Sequence, residues 1–210
     1  MEWSDGAFEE PVPTDTVRPS VSVAVSLFRL YARSVNIFFP ILEASVLDRM
    51  ISQYSENNGE GLVGRSRELF YLILAVATLI CKRNEPTLAT NANSHFLKAI
   101  SIMSTDCDHS SMSENITLLQ RTLLICVYLL LSPESGDIWR HLGFAIRHFL
   151  DLSHGRLREE DELYQVFCKL SRTIYCLESQ VSIAFGRPSL MIIGDELRQV
   201  SNTSYTGKLD

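Results

Sequence analysis

Three groups of residues in this 210-residue sequence are of the types that carry chemistry. The first is the run Glu159-Glu160-Asp161-Glu162. Carboxylates at that density can ligate magnesium, but a hard cation needs them to face one another across a cavity from two elements. No second acidic cluster stands at a suitable spacing, so the run reads as the first turn of a helix, where the macrodipole favours acids. The second group is His141 and His148. Seven residues put them on one helix face about 10 Å apart along the axis. One zinc ion cannot be reached by both. The third, Cys107-Asp108-His109, is a short C-x-H with no partner pair. A serine or cysteine nucleophile would need a base and an orienting acid beside it. No Gly-x-Ser-x-Gly elbow and no phosphate-cradling glycine loop marks one. The expected lists of catalytic residues, metal ligands and cofactors are therefore empty. An all-helical enzyme built on the acidic run is kept as the rival from another class.

Composition narrows the partners. Net charge is −6, against a broad basic face for nucleic acid. The five cysteines, Cys81, Cys107, Cys126, Cys168 and Cys176, are odd in number and form no C-x-x-C pair. Reduced thiols in a cytosolic or nuclear setting are expected. The N-terminus is acidic and polar, unlike a signal peptide. The longest apolar tract, Leu69 to Cys81 with Thr78 inside it, is too short to span a bilayer. No membrane association is expected.

The elements that would position any site are helical. Leu118 to Leu131 is apolar almost all round, as a helix buried on every side should be. Pro133 and Gly136 in the next six residues reverse the chain. Ile138, Leu142, Ala145, Phe149 and Leu152 then step by four, three, four and three, one helical stripe. The spacing also predicts a helix over Val21–Val35, with Val25, Phe28, Leu30 and Tyr31 apolar, ended by Asn36-Ile-Phe-Phe-Pro40. A second runs from Ile41 to Tyr54, with Leu42, Val46 and Met50 inward and Tyr54 as a further candidate at the next step of four. A third, from Ser66 or Arg67 to Cys81, is apolar on nearly all faces. A fourth spans Thr87–Met103, with Ala92, Phe96, Ala99 or Ile100, and Met103 inward. Ser113 is the expected cap of the central hairpin, and Gly155 closes its second helix. The last long helix carries Leu163, Val166, Phe167, Leu170, Ile174, Leu177, Val181 and Phe185, and Gly186-Arg-Pro stops it. The expected fold is all-α: a single bundle of stacked antiparallel helices over residues 21–200. Residues 1–20 read as a disordered acidic, proline-rich leader and 201–210 as a frayed tail.

In this order the blocks are familiar. Phe39-Pro-Ile-Leu, the Leu69–Ile80 helix, Leu119-Gln-Arg-Thr-Leu-Leu-Ile-Cys-Val-Tyr, Trp139-Arg-His-Leu-Gly-Phe-Ala-Ile-Arg and Leu150-Asp-Leu follow one another. Ser182-Ile-Ala-Phe-Gly-Arg-Pro and Ile193-Gly-Asp-Glu-Leu close the series. Together they resemble the middle homology, or regulatory, domain of fungal binuclear zinc-cluster transcription factors, over roughly Phe38 to Val200. Three blocks depart from the family pattern. Ser153-His-Gly-Arg stands where Gly-Leu-His-Arg is usual, Phe167-Cys168 where an aromatic pair is usual, and Glu178-Ser179 where an acid-arginine pair is usual. Trp139, Gly143, Arg147, Gly186, Arg187 and Pro188 match the family motifs. Trp139, Gly143 and Arg147 are candidates to line a pocket, or to mark close packing of two helices.

The resemblance implies a nuclear regulatory domain. The family reads DNA through six cysteines holding two zinc ions, and no cysteine precedes Phe38 here. The expectation is a regulator without intrinsic zinc or DNA binding, acting through a protein partner or a homodimer and touching DNA only indirectly. A truncated inactive copy and a small-molecule effector-binding module are the alternatives.

Overall fold

The computed structural model describes residues 18–57, 61–82, 88–103, 111–153 and 162–189. Several sequence expectations lie outside them: the leader up to residue 17, Cys107-Asp108-His109, Gly155, Glu159 to Asp161, the Ile193 block and the tail. The described residues form seven α-helices, one short 3₁₀ turn and no strand, so the fold is all-α. The helices are α1 (Val21–Ser34), α2 (Ala44–Glu56), α3 (Gly64–Lys82), α4 (Leu88–Ile102), α5 (Met112–Leu131), α6 (Ile138–Ser153) and α7 (Glu162–Phe185).

The centre is α3 against α5. Every residue from Glu68 to Thr78 is buried, as are Leu119, Gln120 and all of Leu123 to Leu129. Helices that apolar must be covered all round. Accordingly α1 and α4 pack on α3, while α6 and α7 pack on α5. Helix α5 is long and apolar enough on average to cross a membrane by length and composition, and the fold uses it as core. Helices α6 and α7 run antiparallel, with Phe149 stacked on Phe167 at 4.4 Å and Trp139 beside Arg187 at the other end. Between α3 and α5 the ion pairs Arg65–Glu114 (3.9 Å) and Glu68–Arg121 (3.2 Å) advance together along both chains. Within this all-α bundle the two central helices therefore run parallel.

Four local expectations also change. Ile41 and Leu42 are buried in a turn, and α2 starts only at Ala44. The cause is Asn36: its Oδ1 accepts from the N–H groups of Ile41 and Leu42, both at 3.1 Å, and its Nδ2 donates to the Leu42 carbonyl at 2.7 Å. A side chain thus does the work of a backbone turn. The buried face of α2 becomes Leu47, Met50 and Tyr54, and that of α1 is Ala24, Phe28 and Tyr31. Phe28 and Tyr54 close on Phe70 at 5.2 and 4.4 Å. The cap of α5 is Ser111, whose Oγ accepts from the Glu114 N–H, and not Ser113. Phe185 is 54% exposed, because α7 leaves the core after Val181 and Ser182. In α4 the choice between Ala99 and Ile100 falls to Ala99. The stripe expected for α6 is buried at all five positions.

Two mutational outcomes follow from the packing. Phe149→Ala should cost about 3–5 kcal/mol in urea unfolding, while half-buried Trp139→Ala should cost less, about 1–3 kcal/mol. The Glu68–Arg121 pair is nearly dry, so Arg121→Met alone strands a carboxylate and should cost about 3–5 kcal/mol. Adding Glu68→Leu should restore most of that loss, and a double variant no better than the single one would refute the pairing.

Candidate functional site

The six motif residues separate into two places. Gly186 has φ +61°, a backbone state that side-chain-bearing residues enter at a cost. The Gly186 N–H donates to the Ile183 carbonyl at 3.2 Å and the Arg187 N–H to the Ser182 carbonyl at 3.0 Å, the paired bonds of a Schellman cap. That reversal swings Arg187 back over the Trp139 ring, 5.0 Å from its centroid, with Phe185 at 6.0 Å. A guanidinium at such range is held by the ring quadrupole, worth about 0.5–1 kcal/mol at an exposed site.

Pro188 then carries the chain to Ser189, whose Oγ donates to Glu178 Oε2 at 2.6 Å. Ser182 Oγ donates to the other carboxylate oxygen at 2.8 Å, and Glu178 itself is fully buried. Gly186, Arg187, Pro188 and Trp139 thus form one corner, closed by a carboxylate inside and a cation–aromatic contact outside. A sequence profile of the fungal specific transcription factor domain matches residues 28–201. The chain belongs to that family. No curated protein and no solved structure matches it.

In this transcription factor domain the remaining motif residues lie on the outer face of α6. An added Cβ at Gly143 would meet nothing within 4 Å, so this glycine does not mark a close helix approach. Neither Trp139 nor Gly143 lines the α5–α6 groove that Arg147 borders. Arg147 instead flanks Phe144, as does Arg140, each 5.8 Å from the ring centroid. It also lines an open groove of about 650 Å³ between α5 and α6, with Asn115, Thr122, His148 and Asp151 around Leu118 and Leu152. His141 faces its own helix start, its Nδ1 2.8 Å from the Asp137 carbonyl, while Asp137 Oδ1 caps the Arg140 N–H.

The Cys126 thiol is poorly suited to act as a nucleophile. Burial pushes the Cys126 thiol up to about 12, leaving it protonated at neutral pH. Among the described residues no three His, Cys, Asp or Glu side chains converge as metal ligands.

Sequence reasoning foresaw none of the contacts that four polar residues make in the fold: Asn36, Gln120, Glu178 and His95. Gln120 donates across 79 positions to the Ile41 carbonyl at 2.9 Å. Of their contacts, only the Glu178–Ser182 spacing of four leaves a signal in the sequence. His95 on α4 is 8% exposed, with its ring 6.2 Å from that of Tyr71 and no hydrogen-bond partner for Nδ1. Burial lowers its pKa from 6.5 to about 4. The folded chain therefore refuses a proton that the unfolded chain accepts. The stability this neutral ring preserves is complete above about pH 6.5 and is lost as pH falls through 6.5 toward 4. Denaturant midpoints at pH 7.5, 6 and 5 should decline, and His95→Phe should flatten the upper part of that decline. An unchanged slope in the variant would assign the effect to other groups.

Proposed function

We propose that this chain is a regulatory and interaction domain of a fungal-type transcription regulator, working in the nucleus through protein partners. The observation that carries the reading is the family match across residues 28–201, which covers every described helix except the first seven residues of α1. The surface adds support. Phe144, Tyr175, Ile183 and Phe185 are all roughly half exposed or more on α6 and α7, the kind of apolar positions that protein contacts use. No arrangement of residues described above positions a nucleophile, base or metal, so catalysis plays no part in the reading. Net charge of −6 supports contact with DNA through a partner rather than directly.

A second reading has one specific observation behind it. The α5–α6 groove sets a guanidinium, an imidazole and an amide around apolar walls, a combination suited to a small amphipathic effector.

The test is co-purification of the tagged chain with defined, complete zinc-cluster proteins, one at a time, and with an untagged copy of itself. Stoichiometric retention of one of them is expected. A monomer retaining none of them, yet stabilised thermally by an added metabolite, would move the assignment to the effector reading. The same protein should show no salt-dependent affinity for duplex DNA in a shift assay, and tight binding there would overturn indirect DNA contact.

A further inference from the structure

The outer face of α6 gathers three arginines on three aromatic rings. Arg140 and Arg147 flank Phe144, and Arg187 lies over Trp139 and beside Phe185. Trp139 and Arg147 are eight residues apart, about 12 Å along the helix, so the two groups adjoin. Among the described residues none of the three guanidiniums is in an ion pair, although carboxylates outnumber cations in the chain. The acids nearest in sequence to Arg140 and Arg147 are Asp137, whose carboxylate caps α6, and Asp151, one turn beyond Arg147; for Arg187 the nearest described acid is Glu178, which accepts from Ser182 and Ser189. Phe144 is 48% exposed and Phe185 54%. The patch thus offers unspent positive charge and aromatic surface together.

One stretch of this chain has the complementary chemistry. Residues 1–17 lie outside the described residues, and their sequence holds Glu2, Asp5, Glu9, Glu10 and Asp15 with no lysine or arginine before Arg18. Trp3 and Phe8 stand among those acids. Seventeen residues reach about 55–60 Å when extended, against a radius of gyration of about 16 Å for a domain of this size. We propose that the acidic segment Glu2–Glu10 docks on the Arg140–Phe144–Arg147 and Trp139–Arg187 patch of its own chain. Its carboxylates pair with the guanidiniums, and Trp3 and Phe8 cover the exposed rings. This goes beyond the proposed regulatory role and does not depend on it.

The chain holds two tryptophans, Trp3 and Trp139, one on each side of the proposed contact. Full-length protein labelled with 5-fluorotryptophan therefore gives two ¹⁹F resonances, which Trp3→Phe assigns. At low salt the Trp3 resonance should differ from that of a synthetic peptide of residues 1–17. It should move to the peptide position in 1 M NaCl and in Arg140→Glu/Arg147→Glu, while Arg140→Lys/Arg147→Lys should keep part of the shift. Both positions are exposed, and circular dichroism checks that the variants remain folded. A Trp3 resonance coincident with the peptide at low salt would overturn the proposal. So would a shift that survives the glutamate variant, or one that grows with protein concentration, which would mean docking on a second copy.

Discussion

Two parallel helices without a wet face, α3 and α5, govern this molecule. Apolar surface on every side must be removed from water on every side, and a two-layer arrangement cannot do that for both. The chain answers with α1 and α4 on one flank and α6 and α7 on the other. Several polar groups caught inside this arrangement have partners, His95 Nδ1 being an exception. Arg121 meets Glu68, Gln120 meets the Ile41 carbonyl, and the Thr78 hydroxyl returns to the Leu74 carbonyl. Such pairs add little net stability, but a slip of α5 against α3 would orphan several buried groups at once. They set register where Leu and Ile alone would tolerate sliding.

The same logic gives the family motif residues at the end of α7 structural roles. Glycine at 186 is needed for a left-handed backbone, arginine at 187 for the Trp139 face, and proline at 188 to direct the chain toward Glu178. These roles hold the end of α7 to α6 and to itself. A buried carboxylate that accepts from Ser182 and Ser189 serves here, where the family pattern has an acid followed by arginine. The departure at Ser179 therefore leaves the corner closed by hydroxyl donors. What the corner exposes, by contrast, is chemically open: guanidiniums resting on rings have satisfied their geometry without spending their charge.

A transcription-regulator-like role sits well on such a body. On the proposed reading, function lies in which surfaces are covered more than in any group poised to react. The outer faces of α6 and α7, carrying Phe144, Tyr175, Ile183 and Phe185, are where the core's obligations end.

Most of the fold is legible in the order of the amino acids. A run apolar on all faces has one physical solution, and the α6 stripe of Ile138, Leu142, Ala145, Phe149 and Leu152 encodes both helix and buried face in its spacing. The stop at Gly186 is equally plain, since local backbone energetics decide it. What periodicity could not give rests on side-chain hydrogen bonds and on residues distant in sequence. The start of α2 depends on an asparagine amide competing for backbone donors, and the parallel pairing of α3 with α5 depends on ion pairs 49 and 53 positions apart. The neutral state of His95 depends on desolvation by its neighbours, and Trp139 found Arg187 across 48 positions. Periodicity reports how one segment meets water, and carries no information about which other segment it meets.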